Sequence, residues 1–279
     1  MTVDAHHHVW DLTVRDQDWI TGPELEPLRR NFTADGLRPQ TRAAGVGRTV
    51  LVQTVTVPEE TPEFLALADG HDLIAGVVGW VDLTRPDVAG ELARLRELPG
   101  GRRLKGIRHQ VQAEPDPRWL LRPDVHRGLA AVADAGLVYD LVVTPRRLRA
   151  CAEAAAGHPG LTFVLDHLGK PPIASGAREP WATAVRALAA LPHTVCKLSG
   201  MVTEADPAGW TTADLRPYAD VVLDAFGPDR LMYGSDWPVC TLAASYADVL
   251  ATARDLTSVL TPSERTAVFE GTATRVYGL

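Results

Sequence analysis

Short, largely apolar, β-branched runs recur along the whole chain, each followed by a stretch with helical spacing, and this alternation limits the possible folds more than any other feature. The runs are Thr2 to His6, Thr49 to Thr54, Leu73 to Val81, Leu104 to His109, Leu137 to Val143, Leu161 to His167, Thr194 to Ser199 and Leu231 to Asp236. Their spacing averages about thirty residues, the length of one strand with its crossover helix. Near-continuous apolar segments such as Thr162-Phe163-Val164-Leu165 are what a parallel strand buried on both faces requires. The helices between them carry readable ends. Ala34 to Ala44 stops at Gly45, and Thr144-Pro145 opens an Ala-rich stretch that stops at Gly157. Eight such alternations predict an α/β fold, a (β/α)8 TIM barrel forming a single domain over residues 1–279. The long segment between Val9 and Phe32 and the stretch Gly169 to Pro180 read as loops over the barrel mouth.

Hydrophobic residues make up 46% of the chain and charged residues 23%, enough for a full core. A net charge of −7 and a pI near 5.7, with no basic stripe, argue against a nucleic-acid partner. No apolar run reaches the roughly 20 residues that a membrane helix needs. Cys151, Cys196 and Cys240 are odd in number and lack C-x-x-C spacing, so reduced thiols and a cytoplasmic location are expected. No basic segment followed by an apolar stretch opens the chain, so no signal peptide is read.

In a barrel of this kind the site lies where the strands end. Those ends are polar here: His6 and His8, Gln53, Arg108 and His109, Asp140, His167, Lys197 and Asp236. His6 and His8 are two apart, so a pleated strand points both rings one way and His7 the other. His6, His8, His167 and Asp236 have the ligand types for one divalent ion such as Zn²⁺ or Mn²⁺. The same groups also suit chemistry without a metal. Asp236 then acts as a base on water, while His6, His8, His167 and Arg108 stabilise the oxygen on which charge develops. His109 and Lys197 are expected to bind substrate, with Trp10, Trp80 and Trp237 as flat walls for a ring. Asp140 and Asp166 are expected to pair with neighbouring cations, and His71, His126, His158 and His193 to be exposed. No G-x-S-x-G, G-x-x-x-x-G-K-[ST] or G-x-G-x-x-G occurs, which disfavours a serine α/β-hydrolase or a nucleotide enzyme.

Five segments in order, Asp4-Ala5-His6-His7-His8-Val9-Trp10, Gly106-Ile107-Arg108-His109, Asp166-His167-Leu168-Gly169-Lys170-Pro171, Cys196-Lys197-Leu198-Ser199-Gly200 and Gly234-Ser235-Asp236-Trp237-Pro238, together with the ending Tyr277-Gly278-Leu279, resemble the lactone-hydrolase branch of the amidohydrolase superfamily. The resemblance implies hydrolysis of sugar lactones such as L-fucono- or L-rhamnono-lactone, or of pyrone dicarboxylate lactones. Metal-rich members of the wider superfamily place a bridging Lys or Glu after the fourth strand and a His after the fifth. Here those strands end at Arg108-His109 and near Asp140, so a binuclear centre is not expected, and the resemblance leaves a single ion possible but not required. The expectation is a lactonase that needs no cofactor, opening a sugar-derived lactone to its hydroxy acid. The rivals are a metal-dependent decarboxylase of the same superfamily and a sugar-acid-binding barrel without catalysis.

Overall fold

A computed structural model describes residues 1–279. Eight parallel strands pair in sequence order. They are β1 (Thr2–His7), β2 (Val46–Val52), β3 (Ile74–Gly79), β4 (Leu104–His109), β5 (Val138–Leu141), β6 (Phe163–Leu165), β7 (Thr194–Leu198) and β8 (Leu231–Tyr233). A helix follows each strand, the first being Ala34–Ala44, capped by the Thr33 side chain and closed by Gly45 at φ 71°. The (β/α)8 architecture read from the sequence is therefore what the chain adopts, with strand limits shifted by a few residues. No helix is long and apolar enough to cross a membrane. All three cysteines are buried and unpaired.

The first and last strands are joined by the turn after β8 rather than by a full ladder. Asp236 N donates to His6 O at 2.8 Å and His8 N to Trp237 O at 2.7 Å. Buried Asp4 ties the same seam, its carboxylate accepting from Ser235 N at 2.8 Å and from Tyr246 Oη at 3.0 Å. Burial outweighs these bonds and pushes the Asp4 carboxyl up to about 6. Gly234 permits the close approach: a Cβ there would stand 2.7 Å from that of His6.

Inside the barrel the side chains form tiers. Val3, Ala5, Val50, Val52, Val78 and Val138 belong to an apolar interior cluster, continued by Val164, Val195 and Met232 and plugged by Ala273 and Tyr277 of the C-terminal helix Thr272–Tyr277. Two positions further along their strands, Asp140, Asp166 and Lys197 share the inward face of Val138, Val164 and Val195 and form a charged tier with Arg108. The Lys197 ammonium lies 2.6 Å from Asp140 Oδ2 and 3.0 Å from Asp166 Oδ1, and Arg108 Nη1 lies 3.0 Å from Asp166 Oδ2. Tyr277 Oη donates to Asp140 Oδ2 at 2.8 Å from below.

Candidate active site and metal centre

The uppermost tier holds His6, His8, His167 and Asp236, all at most 5% exposed. Asp236 Oδ1 is the point of convergence, 3.8 Å from His6 Nε2, 3.5 Å from His8 Nε2 and 3.8 Å from His167 Nε2. His6 Nε2 and His8 Nε2 are 3.1 Å apart. The sequence expectation that β1 aims His6 and His8 together holds. His7 is buried elsewhere, with neither ring nitrogen bonded, and burial takes it down to about 3.

Outer partners orient the rings. His8 Nδ1 donates to Val52 O at 2.8 Å, and His167 Nδ1 meets Ser199 Oγ at 2.9 Å, which leaves both Nε2 atoms free to face Asp236. His6 Nδ1 lies 3.3 Å from Asp166 Oδ1 and 3.1 Å from Lys197 Nζ. Burial and the Lys197 charge hold His6 well below the ordinary imidazole range, and burial, opposed by Asp236, brings His167 down to about 4. Both rings are thus neutral, the form that ligates metals. At Asp236 burial works upward but the surrounding His167, His8 and Lys170 outweigh it, so its carboxyl lies below the usual range.

Two backbone features place these groups. His167, Leu168, Gly169 and Lys170 all have positive φ, between 51° and 71°, a left-handed turn that non-glycine residues resist by roughly 1–2 kcal/mol each. Trp181 Nε1, donating to Leu168 O at 2.7 Å, and the fully buried Leu168 side chain hold the turn in place. Asp236 itself sits at φ 58°. Such conformations concentrate at functional sites because surrounding packing over-determines them.

The donor set fits a single small divalent cation. Ligands of a tetrahedral zinc with bonds of about 2.0–2.1 Å stand about 3.3 Å apart. The four separations of 3.1 to 3.8 Å bracket that value, and His6, His167 and Asp236 all offer ligand atoms within 4.8 Å of one another. Nε2 of His8 and of His167 both face the Asp236 carboxylate, an arrangement that suits a cation between them.

Above this floor lies an open cavity of about 110 Å³, also bordered by Arg108. Trp19, Thr54, Gln110, Gln112 and Lys170 supply most of its walls, with Val142 and Val239 as small apolar patches. Trp19 belongs to the segment after Val9, so that loop does reach the mouth as expected. Arg108 is 4% exposed and anchored by Gln53: its Nε donates to Gln53 Oε1 at 2.9 Å and its Nη2 to Gln53 O.

Several expected substrate contacts fall outside the cavity. Lys197 is fully buried one tier below, clamped between Asp140 and Asp166, and cannot meet a ligand. His109 follows Arg108 on β4, so the pleat turns it away from the lumen. It accepts from Trp80 Nε1 at 2.9 Å, bonds Glu114 at 2.7 Å and stacks on Trp119 at 4.1 Å. Trp80 is thereby committed to His109. Trp10 and Trp237 pack on Phe32 at 5.1 and 5.4 Å, in the layer between the loop and the barrel. His71, His126, His158 and His193 are half-buried rather than exposed. Asp140 and Asp166 pair with cations as read. The sequence reading passed over Trp19, Gln110, Gln112, Thr54 and Lys170 as wall residues. Lys170 and Thr54 lie inside segments already singled out and Gln110 follows one directly, which was the available signal.

The chain is 43% identical to an L-fucono-1,5-lactonase of Burkholderia multivorans over 290 residues, covering 100% of this chain and 96% of the relative. An L-fucono-1,5-lactonase of Burkholderia ambifaria is 39% identical, covering 99% and 94%. A crystal structure of a Burkholderia multivorans amidohydrolase with bound zinc matches with a TM-score of 0.93 at 42% identity, covering 100% of this chain and 99% of that one. That zinc overturns the expectation of a site needing no cofactor; the sequence reading erred because whether four donors converge on one ion depends on distances across the closed barrel. The amidohydrolase family pattern spans residues 3–279, and the chain belongs to the amidohydrolase family.

Proposed function

We propose that this protein hydrolyses a sugar-derived lactone to its hydroxy acid, using one divalent cation, zinc or manganese, held by His6, His8, His167 and Asp236. The observation that carries the proposal is the convergence of three imidazole Nε2 atoms within 3.5–3.8 Å of Asp236 Oδ1, on the floor of a polar cavity. Two L-fucono-1,5-lactonases at 39–43% identity over nearly the whole chain support the lactone as substrate class.

When bound, the cation supplies Lewis-acid polarisation of the lactone carbonyl and makes water more acidic. Asp236, ionised because its carboxyl lies below the usual range, takes a proton from the attacking water. The water oxygen bonds to the carbonyl carbon, the ring C–O bond breaks, and Asp236 returns the proton to the departing ring oxygen. Arg108, fixed by Gln53, Asp166 and His6, keeps one uncommitted N–H at the cavity, where it steadies charge on the carbonyl oxygen. Ser199 keeps His167 in its tautomer through the Nδ1 contact. The decarboxylase rival shares the need for an ion, so a metal no longer separates the two readings; the lactonase relatives do.

The test is a panel of aldonolactones followed with a pH indicator on the zinc-loaded enzyme. Ring opening with release of acid is expected for at least one L-sugar lactone. Decarboxylation of aromatic acids with an inert lactone panel would overturn the proposal.

A further inference from the structure

We infer that the Lys170–Glu204 ion pair is a charge gate that admits neutral polyhydroxy lactones and disfavours lactones bearing a carboxylate. This inference rests on the lactonase reading and concerns which lactones the same cavity accepts. Lys170 lines the cavity beside Asp236 and His167. Its Nζ has Glu204 Oε1 as carboxylate partner, at a loose 3.6 Å, and the two side chains are 27% and 26% exposed. Arg108, the other cavity cation, already donates through Nε and Nη2 to Gln53 and through Nη1 to Asp166. Lys170 therefore has more donors to spare than Arg108, whose Nη1 also lies 3.3 Å from His6 Nε2.

Its backbone strengthens the argument. At φ 53° Lys170 occupies a conformation that glycine would take without strain, and a 3.6 Å contact offsets little of that cost. A lysine there serves the cavity rather than the fold. Glu204, at the end of the short helix Met201–Glu204, offsets part of that lysine's charge, so a substrate carboxylate gains less from Lys170 and is repelled by Asp236 in the cavity wall. A neutral ring with hydroxyls meets Nζ, Gln110, Gln112 and Thr54 without such repulsion. Discrimination of this kind comes from the disfavoured charge as much as from the favoured contact.

The experiment compares kcat/KM for an aldonolactone and for an aldarolactone, the same ring bearing one free carboxylate, on zinc-loaded wild type, Glu204→Gln and Lys170→Met. Glu204→Gln should raise efficiency on the aldarolactone relative to the aldonolactone about tenfold. Lys170→Met should raise KM for the aldonolactone about tenfold with a smaller change in kcat, since a bond to non-reacting hydroxyls is present in ground and transition states alike. It should leave a hydroxyl-free lactone unaffected. The same discrimination is read by calorimetry with the open-chain mono- and dicarboxylic sugar acids. That arm stands even if no lactone is turned over, a result that would remove the lactonase reading alone. An unchanged mono- to dicarboxylate ratio in Glu204→Gln, or a fall in thermal stability with no change in KM for Lys170→Met, would overturn the gate.

Discussion

Gly200→Ala isolates the placement of His167 from everything else in the barrel. Gly200 has φ 63°, and a Cβ there would stand 2.6 Å from His167 Nδ1 and 2.7 Å from its Cγ. Ordinary contact begins at 3.4 Å, so the ring must retreat by about 0.8 Å or the loop must shift as far. Displacements approaching 1 Å at a reacting centre cost about 10²-fold in rate. Disturbing the partners that orient a metal ligand costs about 10–100-fold in affinity. The backbone strain of alanine at positive φ adds roughly 1–2 kcal/mol to the loss of stability. Gly136→Ala is the matched control, because Gly136 has φ 64° with nothing within 4 Å of its Cβ position. Both variants should lose stability by thermal or urea unfolding, Gly200→Ala the more because of its added clash. Only Gly200→Ala should lose zinc affinity by isothermal titration and kcat/KM by about two orders of magnitude. Equal zinc affinity and turnover in the two variants would refute the assignment of His167 to the site.

Asp236→Asn should lower kcat by about 10²–10⁴-fold, the range for loss of a general base, with the fold retained by circular dichroism; near wild-type turnover would dismiss Asp236 as the base. Dialysis against a chelator should abolish lactone opening, and zinc or manganese should restore it; activity that persists once metal analysis shows an ion-free protein would count against the donor set. Glu60, 1% exposed and accepting from Thr54 N at 2.9 Å, is pushed by burial from 4.5 to about 7. Between those values the folded protein keeps a proton that the unfolded chain has released, so its contribution falls as pH rises from about 4.5 to about 7, by about 3 kcal/mol in total, and is flat above. Urea melts across that window should show a shallower decline in Glu60→Gln than in wild type; identical slopes would show that Glu60 is ionised throughout.

The strand pattern was legible because strands buried on both faces carry apolar runs that no loop imitates, and β4 was read to its exact limits, Leu104–His109. His6 and His8 followed from the pleat. The same alternation, applied to Arg108 and His109, would have sent His109 outward, and the structure does so. Lys197 was different. Its parity is inward like that of Val195, and only its height in the barrel separates a substrate contact from a buried charge. Height depends on how staggered strands close, which a linear pattern does not carry. Convergence of His8 with Asp236, 228 residues later, is likewise a property of the closed seam between β1 and β8. The tryptophans misled because a large ring near a mouth fits equally well under a loop, and Phe32 supplies that packing for Trp10 and Trp237.

The charged tier explains why the barrel keeps four ionisable side chains in its centre. Buried ion pairs seldom repay their desolvation compared with apolar side chains of similar size. Stability is therefore a poor reason for Lys197, Asp140, Asp166 and Arg108 to be there, especially with a valine-rich tier directly beneath. Their contacts point to another reason. Asp166 is held well below the carboxylate range because, although burial raises it, Lys197, His6 and Arg108 together outweigh that penalty. Asp140, sharing Lys197 with Asp166, is pushed up to about 6 by burial. Asp166 thus stands 3.3 Å from His6 Nδ1 and holds Lys197, whose Nζ meets the same nitrogen at 3.1 Å, so the tier fixes that ring with Nε2 turned toward Asp236. Removing either cation would leave a buried carboxylate uncompensated and free the ring to turn. The lower apolar tier thus serves the fold and the charged tier serves the histidine above it, while the backbone strain sits in the two turns that carry His167 and Asp236.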